Sequence, residues 1–355
     1  MKIVLSARVW IVTVSVVVSL AAFVGTQPST VAPSLGPAVP DAPRGVLAED
    51  PASGEPVARP LASRPLLAVI IENYPDARPQ WGLSLASRVY EAITEGGITR
   101  YLAVFGPNYG AARVGPVRSV RTQFLDYALE LDAPVAHVGG NSDALDLIHT
   151  LRIKDLDQFR YAGAYRRILR PRLALEHTMY TSIESLRALA DQRGWSERAG
   201  SAHPLWKDDA PFEERPSTQE VTINFSFSEY RVAWRYRRDG DDYQRFLGGA
   251  PDVDAATGVP VTARSIAIAV VPRVHGRTLI GEDTWTFGTI GSGRAWILQD
   301  GVMSEGLWQK RSRTDRLRFV DQAGKEIPVN RGRQWVEIIP PEVTPLPSGP
   351  AVGIQ

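Results

Sequence analysis

Two arginines three residues apart, Arg118 and Arg121, stand in "VGPVRSVR" (114–121), behind a Gly-Pro turn and ahead of an apolar helix pattern. A guanidinium fork matches the geometry of carboxylate and phosphate. A helix N-terminus adds unpaired N–H groups and the positive end of a dipole, so these residues in this order suit an anion. On a helix, Arg118 and Arg121 would project to neighbouring positions, with Ser119 placed as the cap. A second loop, Gly139-Gly140-Asn141-Ser142, also follows a strand pattern and precedes a helix pattern. Arg78 in "ARPQ" and Arg100 in "GGITR" are further candidate cations, and Glu91, Glu95 and Asp143 are the candidate carboxylates. The competing reading pairs the arginines internally with Glu91 and Glu95, because structural ion pairs outnumber ligand sites.

Other residues weigh less. His137 reads as a core histidine, and Glu176-His177 as either cap-adjacent structure or part of a site. The run "RYAGAYRRILRPR" (160–172) reads as a solvated basic loop with the option of an anionic lipid or polymer. Cysteine is absent, which excludes disulfides, thiol catalysis and cysteine metal sites. The histidines show no HExxH-like spacing, so no metal and no cofactor are expected. With 40 Lys+Arg against 39 Asp+Glu the chain lacks the basic excess of a nucleic-acid binder.

These residues must be positioned by regular elements. "LLAVII" (66–71), "TRYLAVFG" (99–106) and "APVAHVGG" (133–140) read as strands by their β-branched runs. "LSLASRVYEAITEGG" (83–97) places Leu85, Val89 and Ile93 on one helical face, with Ser84 as cap and Gly96 as stop. "FLDYALEL" and "SDALDLIHTL" are two more amphipathic helices, and "TSIESL" opens another with a Thr181/Glu184 capping box. If the strands are parallel, both arginine and glycine loops open at the carboxyl edge of the sheet, where α/β proteins bind ligands. From 211 the texture turns to alternating strands, beginning with a hairpin around Asp239-Gly240.

The expected fold is therefore an α/β domain over 65–210 followed by a mostly antiparallel β domain over 211–340, α+β overall, with separate cores. Lys2 and Arg8 precede an uncharged run from Val9 to Gly25, the pattern of a signal peptide or N-terminal anchor over 1–25. Residues 26–64 read as a disordered Pro/Ala-rich linker and 341–355 as a disordered tail.

The stretch "ARPQWGLSLASRVYEAITEGGITRYLAVFG", with "VGPVRSVR", "HVGGNSDAL" and "EHTMYTS", resembles the YerB-like putative lipoprotein family, a two-part bacterial domain of unknown function. "DDYQRFLGGAPDVD", "TIGSGRAWILQDG", "GLWQKRS" and "FVDQAGKEI" resemble its C-terminal part, so the likeness spans about residues 65–340. Lipid anchoring does not carry over, because the anchor needs a cysteine that this chain lacks. The resemblance implies an extracytoplasmic cell-envelope protein, secreted or held by its N-terminal segment and not lipidated. Its partner is expected to be an anionic envelope ligand or an envelope protein, with no nucleic acid. A second expectation is enzymatic: the strand, helix, strand, arginine-loop order resembles the LytR-CpsA-Psr phosphotransferases, which act on polyprenyl-pyrophosphate-linked glycopolymer. That likeness implies Mg²⁺ held by Glu91, Glu95 or Asp143. A third expectation is a structural envelope scaffold.

Overall fold

Six consecutive apolar or strand-ending residues, Leu67–Glu72 (β1), are buried on both faces, as a central strand requires. The computed structural model describes residues 47–107, 110, 113–197 and 203–348; the signal or anchor over 1–25 and the first part of the linker lie outside them. In chain order the further strands are Arg88–Ile93 (β2), Thr99–Phe105 (β3), Val135–His137 (β4) and Asp155–Asp157 (β5). The second half adds Glu220–Asn224 (β6), Arg231–Arg237 (β7), Asp242–Leu247 (β8) and Ser265–Val270 (β9). Gly291–Gln299 (β10), Val302–Lys310 (β11), Arg318–Val320 (β12) and Gln334–Ile339 (β13) complete it. The main helices are Thr122–Leu129 (α1), Ser142–Leu151 (α2) and Ile183–Gln192 (α3). Among the described residues no helix is long and apolar enough to cross a membrane.

Ten strands form one mixed sheet in the order β12-β11-β10-β9-β13-β2-β3-β1-β4-β5. One face, with Leu67, Val69 and Ile71, packs on α3 and on Val221, Val232 and Trp234 of the smaller antiparallel sheet built around β6, β7 and β8. The other face, with Ala68 and Ile70, packs on Phe124 and Leu125 of α1 and Ile148 of α2. The first half is thus a mixed sheet with a few helices, the second mostly antiparallel, and the whole α+β.

Residues 83–97 are not the expected helix. Leu83–Leu85 is a single 3-10 turn and β2 follows, buried along its whole length. The helical period puts Glu91 on the face turned away from Leu85, Val89 and Ile93. Glu91 is buried instead and pairs with Arg245, and Arg88 is buried and donates to the Ala52 carbonyl. With the charges satisfied inside, β-branched Val89 and Ile93 and aromatic Tyr90 follow their strand preference. This correction carries another. An extra strand leaves an open edge, and β13 from the far end of the chain fills it, pairing in parallel with β2 and with β9. The two halves therefore share both cores, and the change of texture near 211 marks a change of element type.

The linker and tail are also partly built. Leu47–Glu49 pairs with Pro56–Ala58, Ala52 is fully buried, and Ser87 Oγ donates to Asp50 at 2.7 Å. Leu346–Ser348 adds to the outer edge of β6, a position that tolerates Pro347. The cap of α3 is Ser182, which accepts from Ser185 N at 3.1 Å, one residue beyond the expected Thr181.

Between the two sheets lies a buried ionic cluster. Arg245 has no exposed side-chain surface; it pairs with Glu91 at 2.5 Å and with Asp252. Its guanidinium lies 4.9 Å from the ring centre of Trp335 and 5.5 Å from that of Tyr101. Glu337 stands opposite Glu91 in the parallel register and accepts from Trp234 Nε1 at 2.7 Å. Burial, and then the Glu91 charge, pushes the Glu337 carboxyl well above its ordinary pKa. The folded chain therefore holds this proton to higher pH than the unfolded chain, which releases it above about pH 4.3, so the group lowers stability as pH rises from there to the folded carboxyl's own pKa. Glu337→Gln keeps the neutral shape and is expected to flatten that slope. Urea midpoints of both proteins at pH 5 and pH 8 check it, and parallel pH dependences would refute it.

Candidate functional site

The apolar run of β1 ends in a carboxylate, Glu72, whose cross-strand partner on β3 is Arg100. The chain from Val114 to Val120 then runs back to this end. Val117 bridges Ile71 antiparallel, Arg118 N donates to the Ile70 carbonyl at 2.9 Å, and Val120 N donates to the Gly139 carbonyl at 3.0 Å. The stretch is an extended rung wedged between the carboxyl ends of β1 and β4, which are parallel to each other. Gly115, at φ +141°, is required there: a Cβ would stand 2.9 Å from Val117 N and 3.0 Å from the Met179 carbonyl. The loop thus reaches the carboxyl edge even though β3, which feeds it, is antiparallel to β1.

Arg118 and Arg121 do not lie on a helix. α1 begins at Thr122, with Arg121 as its uncapped preceding residue, and the Ser119 side chain makes no cap. What brings the arginines together is the wedge itself. Arg118 Nε lies 3.2 Å from Glu72 Oε1, and His177 Nδ1 lies 2.7 Å from Glu72 Oε2. The His177 ring stacks on Tyr74 with centres 4.9 Å apart. Arg121 Nε contacts both Glu95 oxygens, at 2.8 and 2.9 Å. Arg100 is different. It is 6% exposed, donates through Nη1 to the Ser119 carbonyl at 2.7 Å, and its Nε has no partner. Among the described residues no carboxylate forms an ion pair with it. Burial, then Arg121 and Arg118, pulls its pKa down to about 9 against the opposing pull of Glu95 and Glu72. Three guanidinium charges face two carboxylates, and the least exposed of the three is the one left over.

Beside this cluster opens a cleft of about 340 Å³ lined by Arg118, Ser119, Gly139, Gly140, Phe159 and Arg167, among others. Gly139 sits at φ +59°, where a Cβ would lie 3.1 Å from the Phe159 ring, and a Cβ on Gly140 would lie 2.9 Å from Val120 Cγ1. The glycines let two backbone segments close on one side of the cleft. Asn141 and Ser142 do other work. Asn141 caps α2 by accepting from Ala144 N at 3.2 Å, and Ser142 N donates to Glu282 Oε2 at 2.8 Å. That helix end is already occupied by the protein's own carboxylate, and the bond holds Glu282 below its ordinary pKa. Asp143 accepts from Leu279 N at 3.4 Å in the same contact.

Two further residues lie outside the cluster. Arg78 is tied to Asn73 and to the Glu229 carbonyl and covers the Tyr230 ring. Glu91 belongs to the Arg245 cluster and accepts from Thr99 Oγ1. The pairing of an arginine with Glu95 holds; the pairing with Glu91 is made by Arg245. His137 is a satisfied core histidine, between the Gly139 carbonyl at 2.8 Å and Asp155 at 3.0 Å. Three other carboxylates, Asp209, Asp241 and Asp300, lie close together, but Arg264, Arg215 and Lys207 pair with them. Sequence reasoning missed Glu72, the Glu72–His177 contact and Phe159, and took Arg167 only as part of the basic loop 160–172. Only Glu72 carried a signal, as a charge closing a buried strand.

The chain is 27% identical over 311 residues to the "Putative lipoprotein YerB" of Bacillus subtilis (strain 168), covering 85% of this chain and 89% of that protein. The crystal structure of the YerB protein from Bacillus subtilis matches with a TM-score of 0.73 at 26% identity, over 84% of this chain and 99% of that one. Residues 52–196 match the family described as "Protein of unknown function (DUF3048) N-terminal domain", and residues 221–336 match its C-terminal domain. With both parts present and the relative's fold retained, the chain belongs to the two-part DUF3048 family of YerB-like proteins.

Proposed function

We propose that this chain is an exported cell-envelope protein that binds an anionic envelope component at the arginine cluster on the carboxyl ends of β1 and β4. The observation that carries the reading is Arg100: a buried guanidinium with no carboxylate, bonded to the carbonyl of Ser119, which lines a cleft together with Arg118. An arriving phosphate or carboxylate would supply the missing counter-charge in a setting of low dielectric, where it counts most. Export is supported by the relative's name as a lipoprotein and by the basic start followed by an apolar run. Without cysteine, any anchor on this chain would be that apolar segment itself.

Binding is favoured over phosphoryl transfer because the carboxylates that transfer would recruit for Mg²⁺ are engaged. Glu91 and Glu95 are in ion pairs, and Asp143 accepts from a hairpin backbone N–H. A scaffold needs no buried unneutralised arginine. The test is calorimetric titration of the full chain with inorganic pyrophosphate, with and without Mg²⁺. Replacing Arg118 and Arg121 together with glutamine is expected to weaken binding by about 1.5–3 kcal/mol per charged hydrogen bond lost. The melting temperature should also fall modestly, since Glu72 keeps only His177. Failure of the parent chain to bind pyrophosphate in either condition would sink the proposal.

A further inference from the structure

Large aliphatic side chains are rarely left bare in clusters on a soluble surface, yet two separate segments do so around residues 139–143. The hairpin of Arg273–Arg277 with Asp283–Phe287 carries Leu279, 92% exposed, and Ile280, 75% exposed, at its tip. That tip is fixed in place: Ser142 N donates to Glu282, and Leu279 N donates to Asp143. On the neighbouring side Phe159, 73% exposed, lies over Gly139. Leu169 and Leu175 are similarly bare, and Arg167 Nη1 donates to the Leu175 carbonyl.

The charge of the second segment selects the partner. From Gln158 to Leu175 there are five arginines (160, 166, 167, 170 and 172) and no aspartate or glutamate. Arg166, Arg167 and Arg172 are exposed, and Arg160 shares only an exposed ion pair with Asp155. Bare Phe159, Leu169 and Leu175 set among exposed arginines match the boundary of an anionic bilayer, with acyl chains beneath and phosphates at the level of the guanidinium groups.

We infer that this surface seats the protein on an anionic lipid bilayer, with Leu279, Ile280 and Phe159 entering the headgroup boundary. The seating is independent of whether the neighbouring cleft binds a soluble anion. The chain has no cysteine, so Leu279→Cys, Phe159→Cys and Phe212→Cys each give the full-length protein a single site for an environment-sensitive dye. Phe212 serves as control, because it packs on Arg238 beyond the last residue of β7. Mixed with phosphatidylglycerol vesicles, dye at 279 and at 159 should shift to the blue, and dye at 212 should not. Phosphatidylcholine vesicles should produce no shift at any site, and inorganic pyrophosphate none at 279 or 212. Adding R160Q, R166Q and R172Q removes three charges worth about 1 kcal/mol each near such a surface, on the order of a hundredfold in contact, and should abolish the response. The local readout matters because the apolar N-terminal run can hold the chain to vesicles unaided. Vesicle-bound protein with unshifted dye at 279 and 159, or equal shifts at all three sites, overturns the inference. A shift that grows with protein concentration in the absence of lipid also overturns it, because the apolar surface would then be meeting a second copy of the chain.

Discussion

Arg245→Met is expected to cost about 3–5 kcal/mol of folding stability, the range seen when one partner of a buried ion pair is removed. Arg245 is the cation for Glu91 and Asp252, both buried, and its planar group lies among Tyr101, Trp234 and Trp335. Methionine fills part of the stem volume but leaves the Glu91 and Asp252 carboxylates buried without their cation. The cluster joins β2, β8 and β13, so its loss should loosen both sheets together. Urea unfolding of the two proteins measures the difference. Adding Glu91→Gln to Arg245→Met should recover part of the loss, because one stranded charge is then gone. A cost below about 1 kcal/mol for the single variant would mean that water already reaches the cluster.

Arg100→Met is expected to move two measurements in opposite directions. The charge is buried, lacks a carboxylate and sits beside two like charges, so its removal should leave melting temperature unchanged or raised. The same change deletes the cation proposed to meet an anion, and pyrophosphate affinity should fall ten- to a hundredfold, the worth of one charge-assisted hydrogen bond at about 1.5–3 kcal/mol. A purely structural arginine would behave in the reverse manner, with lost stability and unaltered binding. Thermal melts with and without pyrophosphate, read on both proteins, separate the cases. Ligand-induced stabilisation should appear in the parent and vanish in the variant.

The parts of the fold legible in the residues are those where local chemistry and tertiary setting agree. Helix α2 spans the stretch read from its pattern, because Asn141 caps it and Arg152, at φ +52°, ends it. The strands read from "LLAVII" and "TRYLAVFG" are strands because β-branched runs buried on both faces have no competing option. Strand β2 was hidden because six residues fit both periods and its charges are satisfied by Ala52 and Arg245, the latter far along the chain. The same holds at the site. Arg118 and Arg121 were legible as residue types at loop positions, and Arg100 at the start of a strand. Their sorting into paired and unpaired depends on Glu72 and Glu95, reached through the register of β1 and β3 and the wedge between β1 and β4. His177 meets Glu72 only because a loop folds over Tyr74.

Strand β13 lodges between β2 and β9, and this has a consequence for how the polypeptide is made. A ribosome finishes Ile93 long before it reaches Gln334, and with synthesis at about 5–20 residues per second the gap is on the order of ten seconds or more. Throughout that interval the flank of β2 has no native neighbour, and an unpaired strand edge of this kind invites pairing with other chains. A nascent chain of this protein therefore has to be kept from joining its siblings until β13 emerges, and translation products that stop short of it should be claimed by chaperones or proteases.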